Sequence, residues 1–372
     1  MKRKKILVVC HSAVTPFHLE KYKELSHDYD IWIIVPQITR EEGIELHPVS
    51  RQINDHLHLI RTWFLFPKRI YIFFPVWFIV YLQRIKPDLL YIEEEDMSFC
   101  PVYCILMHRL LNHKSPIVIA ISENIRFSPL FKFPRYLFYR LFSWFTLRCV
   151  DGALGINQGA EAILRSSGVK RVQRQSFYGI NPAWLEIERN HQFSGILHFG
   201  FIGRLIPEKG LEWLLKTLQR ADFPFVLDIV GYGPEREKLQ QLRFNEGQIV
   251  NWKGHVPHDS LPEVTAEWDF LVIPSISTSR WKEQFGRVII EALALEIPVL
   301  GSDCGSIPEV TGPCGRIVPE NNESALLDAL KRWNQSPDDL IPYRAIARDY
   351  VRAHFIHQVV AERTRSFFES LL

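Results

Sequence analysis

Residues 283–291 read E-Q-F-G-R-V-I-I-E, and Ala292, Leu293 and Ala294 follow. The apolar run Val288, Ile289, Ile290 leads into good helix formers. Pro274-Ser275 stands upstream and Pro298 downstream, so the stretch predicts a helix bounded on both sides. If that helix begins near Phe285-Gly286, its free backbone N–H groups face a loop that contains Glu283. Such an end attracts phosphate and other anions. Eight residues along a helix axis cover about 12 Å. That separation suits Glu283 at a sugar and Glu291 at a ribose, with a diphosphate between them. It equally suits two acids on a solvated helix face.

Upstream, Gly203-Arg204-Leu205 precedes Glu208-Lys209-Gly210 and then the helical run Leu211, Leu214, Leu215, Leu218. Two cations therefore sit in a strand-to-helix turn. Arginine forks across two phosphate oxygens, and lysine supplies a compact point charge. A solvated turn is the plainer alternative. Downstream, residues 299–315 read V-L-G-S-D-C-G-S-I-P-E-V-T-G-P-C-G.

These three pieces, in this order, resemble the carboxy-terminal half of the retaining GT-B glycosyltransferases, in particular glycosyltransferase family 4. The likeness is dense from about Gly200 to Pro319. It implies two doubly wound α/β Rossmann-like domains facing each other across a cleft. It also implies transfer of a sugar from a UDP- or GDP-type donor to an acceptor hydroxyl with retained configuration. By this resemblance Arg204 and Lys209 would neutralise the departing diphosphate, helped by N–H groups near Phe285, Gly286, Arg287 and Val288. Glu283 would hold the donor sugar and Glu291 the ribose, and His255 and Val256 would line the base. No bound metal or other cofactor is expected.

The first half departs from the common family pattern. The loop after Val9 reads C-H-S-A-V-T-P-F, without glycine, and the segment after Ile121 reads S-E-N-I-R, where many relatives have a histidine. Glu94, Asp96, Glu123 and Asn124 stand at strand ends, where α/β sheets place their ligands. They are candidates for acceptor-side contacts, or else members of solvated loops. His11 and His18 remain alternatives.

Strand-like and helical runs alternate along the whole chain. In the first half the strand-like runs are 6–9, 31–35, 88–92, 117–121 and 150–155, with helices around 19–25 and 160–166. A polar stretch at 178–193 interrupts the pattern. The runs 196–202, 225–230, 248–252, 270–273 and 298–301 begin a second series. Short apolar strands with helices between them mean parallel sheets covered on both faces. The expected domains are 1–187, joined by a terminal helix at about 352–372, and 194–351. The end of the chain, from about Tyr343, reads as helical.

Residues 1–187 carry 24 Lys+Arg against 17 Asp+Glu, and the remainder 20 against 25, which together give the net charge of +2. The first half is thus the half that would meet an anionic surface. Residues 129–149 interleave aromatics with Lys132, Arg135, Arg140 and Arg148, which fits a segment lying in a lipid interface or a helix packed on the sheet. Peripheral attachment there, with Ile70–Leu82 assisting, is the expectation. No run is long enough for a membrane span.

Lys2 to Lys5 lead straight into a strand, so a cytosolic chain with reduced thiols is expected, at the inner face of the membrane. Cys100, Cys104 and His108 share a helical spacing but lack a matching fourth ligand, and a buried helix explains them more simply. Gly231-Tyr232-Gly233 lacks the third glycine of a dinucleotide site, because Arg236 stands there.

The expected partners are a nucleotide-sugar donor and a glycan or lipid-linked acceptor in cell-surface polysaccharide or glycolipid synthesis, and no nucleic acid. A nucleotide-sugar epimerase and a non-catalytic nucleotide-sugar-binding protein are the alternatives.

Overall fold

The computed structural model describes residues 3–37, 39–41, 44–46, 52–65, 74–111, 113–126, 135–189 and 191–372. The chain forms two compact units, one of Met1–Gly179 with His357–Leu372 and one of Ile180–Ile356.

In the first unit the strands are β1 (Lys5–Val9), β2 (Asp30–Pro36), β3 (Gln52–Asn54), β4 (Leu57–Thr62), β5 (Leu89–Glu93), β6 (Ile117–Ile121), β7 (Gly152–Gly155) and β8 (Val172–Arg174). They form one sheet in the order β8-β7-β6-β5-β1-β2-β4-β3, parallel except for the β3–β4 hairpin. The central strands are continuous apolar runs. Leu7, Val9, Ile92, Ile119 and Ile121 are fully buried, as strands covered on both faces must be.

The helices of this unit are α1 (Pro16–Leu25), α2 (Phe78–Ile85), α3 (Phe99–Leu110), α4 (Arg135–Cys149) and α5 (Gln158–Ser166). Within the stretch 70–82, a short strand at Phe74–Pro75 is followed by α2, and residues 70–73 lie outside the described residues. Cys100, Cys104 and His108 all lie buried on α3, where His108 Nε2 bonds Ser115 Oγ at 2.9 Å. Of residues 129–149, only α4 is described.

The second unit holds β9 (Leu197–Ile202), β10 (Phe225–Val230), β11 (Gln248–Gly254), β12 (Phe270–Ile273), β13 (Val299–Ser302) and β14 (Gly315–Val318). Its sheet is wholly parallel, in the order β11-β10-β9-β12-β13-β14. The core stacks Phe199 on Phe270 with ring centroids 4.8 Å apart, and Trp333 closes over Phe270. The main helices are α6 (Leu211–Leu218), α7 (Arg287–Ala294), α8 (Glu323–Gln335) and α9 (Ile341–His354). A final helix, α10 (His357–Glu369), belongs to the first unit.

The helical run expected from Tyr343 onward is therefore two helices. It breaks because Ile356 pairs with Ile180 and the Phe355 carbonyl accepts from Ile180 N at 2.7 Å. Beyond the break α10 packs on α1 and buries Phe368 against Tyr29 and Tyr91. Among the described residues, no helix is long and apolar enough to cross a membrane.

Candidate functional site

In the second unit the strand order reverses between β9 and β12, and the loops leaving their carboxyl ends are 203–210 and 274–286. Open α/β sheets bind ligands outside such a switch point. These loops carry Arg204, Lys209 and Glu283.

The two loops are joined at the backbone. Ile276 N donates to the Glu208 carbonyl at 2.8 Å. Gly210 adopts φ 69°, and a Cβ there would stand 1.7 Å from the Pro274 carbonyl oxygen. Only glycine meets both demands.

Lys209 Nζ lies 2.6 Å from Glu283 Oε2 and 5.2 Å from the centre of the Trp281 ring. Ser275 Oγ donates to the same carboxylate oxygen at 3.1 Å. The Glu283 carbonyl accepts from Ser306 N at 3.0 Å and Ser306 Oγ at 3.2 Å. Gly305, at φ 59°, lets its backbone approach that carbonyl, since a Cβ would lie 2.1 Å from the oxygen. Glu283 is thus gripped by the loops leaving β9, β12 and β13, and it is only 7% exposed. The Arg204 side chain is exposed and makes no hydrogen bond or ion pair among the described residues.

Helix α7 starts after Gly286, a left-handed N-cap at φ 74°. Glu283 therefore precedes the helix, and Glu291 sits in its second turn. The Phe285 ring is buried 5.8 Å from Phe355, so only its backbone is offered to a ligand. Arg287 Nε lies 2.9 Å from Glu291 Oε1, and His258 Nε2 lies 3.0 Å from the same atom. Glu291 Oε2 is buried without a hydrogen-bond partner among the described residues. Buried carboxylate oxygens are rarely left so.

The bond to Glu291 holds the His258 imidazole above its ordinary pKa. Its ring also lies 4.9 Å from Trp184. His258 was not legible in advance. The expected base-lining pair, His255 and Val256, lies in the turn after β11, where His255 is exposed with its ring 6.0 Å from Tyr232. Val288 is half-buried in the first turn of α7.

The switch point of the first unit falls between β1 and β5. Both Glu94 oxygens are taken by His11, through its N–H at 2.7 Å and its Nδ1 at 2.7 Å. Glu93 accepts from Lys21 at 2.5 Å and Tyr22 at 2.6 Å. Burial pushes its carboxyl up, but the Lys21 charge and both bonds outweigh this and hold it low. His18 Nδ1 is 2.7 Å from Thr15 Oγ1.

Glu95 accepts the N–H groups of Ser122 (3.0 Å) and Glu123 (3.2 Å), and Asp96 accepts the Ser143 hydroxyl. Burial, then the neighbouring Asp96 and Glu123, push the Glu95 carboxyl up to about 8. Burial also raises Asp96 and Glu123. Asn124 is approached closely by Gly159, where a Cβ would stand 2.7 Å from Asn124 Cβ. The fold thus brings Glu94, Asp96, Glu123 and Asn124 to one end of one sheet. Among the described residues, no group of three or more His, Cys, Asp and Glu side chains is placed to hold a metal ion.

Residues 197–335 match the protein-family model described as glycosyl transferases group 1. The chain is 25% identical over 202 residues to the amylovoran biosynthesis glycosyltransferase AmsK of Erwinia amylovora, covering 52% of this chain and 49% of that protein. It is 33% identical over 135 residues to the O-antigen chain mannosyltransferase B of Escherichia coli, covering 34% of each. The chain thus spans half or less of the length of these relatives. Among solved structures, Anabaena HepE in complex with UDP and glucose superposes with a TM-score of 0.69 at 15% identity, covering 99% of this chain and 100% of that one. At that identity the likeness shows the fold, two Rossmann-like domains as in GT-B glycosyltransferases. The family match and the relatives support the group 1 glycosyltransferase family.

Proposed function

We propose that this chain is a retaining glycosyltransferase, of the hexosyltransferase type in family 4, which moves a sugar from a nucleotide-diphosphate donor to an acceptor hydroxyl. The observation that carries this reading is the pairing of two buried carboxylates around the start of α7. Glu283 is held by Lys209, and Glu291 keeps one oxygen without a partner among the described residues.

A ribose hydroxyl is the kind of donor that Glu291 Oε2 lacks. Lys209 has three N–H donors, one of which serves Glu283. The others, with Arg204 and the first N–H groups of α7, suit the oxygens of a diphosphate. In the reaction, the bond from the anomeric carbon to the distal phosphate oxygen breaks. A bond to the acceptor oxygen forms, and the acceptor proton passes to the departing phosphate. Negative charge grows on that phosphate, and fixed cations aimed at it lower the barrier. Glu283 would hold the sugar hydroxyls and face the positive charge at the anomeric centre. On the acceptor side, the loops that carry Glu94, Asp96, Glu123 and Asn124 would meet a glycan or lipid-linked hydroxyl, in polysaccharide or glycolipid synthesis.

Because HepE is solved with UDP and glucose, UDP-sugars come first in the test. Thermal shifts would be measured with UDP-, GDP-, ADP- and TDP-sugars, followed by donor hydrolysis and product NMR. A raised melting temperature with one nucleotide class, slow donor hydrolysis and retained anomeric configuration are expected. Epimerised free donor would identify an epimerase instead. Binding without any turnover would leave a nucleotide-sugar-binding protein.

A further inference from the structure

The first unit carries a groove of about 770 Å³ beside Pro116, Asp151 and Gly168. These residues precede β6, β7 and β8, so the groove lies at the amino-terminal edge of the sheet, opposite the candidate acceptor residues. Five cations line it (Arg109, Lys114, Arg148, Lys170 and Arg171) against one carboxylate, Asp151. That carboxylate is already occupied, by the N–H of Ile117 at 2.8 Å and by Arg109 at 3.3 Å. Arg171 donates to the Ser370 carbonyl. Lys114, Arg148 and Lys170 are exposed and have no ion-pair partner among the described residues. A concave surface with this charge balance concentrates anions.

The groove continues into α4. Leu137, Leu141 and Trp144 are 47%, 50% and 61% exposed, and Phe138 beside them is 52% exposed. Their spacing of four and three residues forms one stripe, and four residues further along it stands Arg148, inside the groove. The opposite face of the helix is engaged with the protein. Thr146 and Leu147 are buried, Phe142 packs on Phe99 at 5.6 Å, and Ser143 bonds Asp96. Helix α4 contains no acidic residue. Its fifteen residues are fewer than the roughly 20 needed to span a bilayer, so the stripe suits the plane of an interface.

We propose that the first unit docks on an anionic phospholipid surface, with Leu137, Phe138, Leu141 and Trp144 entering the headgroup boundary and lipid phosphates seated between Lys114, Arg148 and Lys170. A free phosphate would need the groove but not the apolar stripe that runs into it. The continuity of the two features, and their matched charge, selects a lipid. Docking is independent of the donor site, but through Ser143 the docked helix bears directly on Asp96.

The test is co-sedimentation of the full chain with vesicles of phosphatidylcholine alone and of equal parts phosphatidylcholine and phosphatidylglycerol. Binding to the anionic vesicles only is expected, weakening as salt is raised. Lys114→Gln and Lys170→Gln should each weaken it about fivefold. Leu141→Ser with Trp144→Ser should reduce it without any change in charge. All these positions are exposed or half-exposed, so the melting temperature and any nucleotide-induced shift should stay as in the wild type. Equal binding to neutral vesicles would overturn the proposal, as would anionic binding that neither pair of substitutions alters. Loss of pyrophosphate-induced stabilisation in the lysine variants, with vesicle binding intact, would make the groove a site for free anions and also refute docking.

Discussion

Each acid of the proposed donor site has a distinct set of neighbours, and the neighbours set the expected effect of removing it. Glu291→Ala removes one partner of Arg287 and of His258 and deletes the oxygen that lacks one. Nucleotide affinity should fall roughly tenfold or more, the scale of a charged hydrogen bond, with the fold retained; calorimetric titration with UDP and GDP measures this. Glu283→Ala should instead lower turnover by roughly 10²–10³ while nucleotide affinity largely persists. If both variants lost nucleotide affinity equally, the two acids would not divide sugar from ribose as argued.

Glu95 gives an expectation for pH. Its carboxyl lies at about 8 in the folded chain against an ordinary 4.5, so the folded state holds a proton that the unfolded state has lost between those values. Stability is therefore greatest at the acidic end of that window and declines as pH rises to about 8. Glu95→Gln should flatten that decline, as read from melting temperatures across the window. The places of Lys209 and Glu283 in loops after β9 and β12, and of Glu291 on the helix that follows, were legible because recognisable strands precede them. His258 was not, because it reaches Glu291 only through the path of the chain after β11, which has no sequence signature.

At the scale of elements, the proposed donor site depends on two loops held at one distance. Gly210→Ala meets a left-handed backbone, costing about 1–2 kcal/mol, and an impossible approach to the Pro274 carbonyl. The loops must part. The second unit should melt earlier and nucleotide-induced stabilisation should vanish, which scanning calorimetry with and without nucleotide tests. The central parallel strands were readable because burial on both faces makes them unbroken apolar runs. Several of the outer strands were not. β4 interleaves His58 and Arg61 with its leucines, β8 reads V-Q-R, and β14 opens on Gly315-Arg316. Edge strands bury less and so carry a weaker pattern. The break between α9 and α10 was invisible for a related reason, since a partner 176 residues earlier, Ile180, makes it.

For the molecule as a whole, the first unit is completed by α10. Phe368 is almost fully buried against Tyr29 and Tyr91. Phe368→Ala should cost the first unit about 3–5 kcal/mol and leave the transition of the second unit in place. Calorimetry that showed both units losing stability together would contradict this division. The same arrangement constrains biosynthesis. On the ribosome, residues 180–356 emerge as one uninterrupted stretch and have every strand of their sheet before residue 357 is added. The earlier-made unit must wait, with the surface meant for Phe367 and Phe368 uncovered, until translation reaches them. The later-encoded half can therefore mature first, and the nascent amino-terminal half is the part that a chaperone would have to shield.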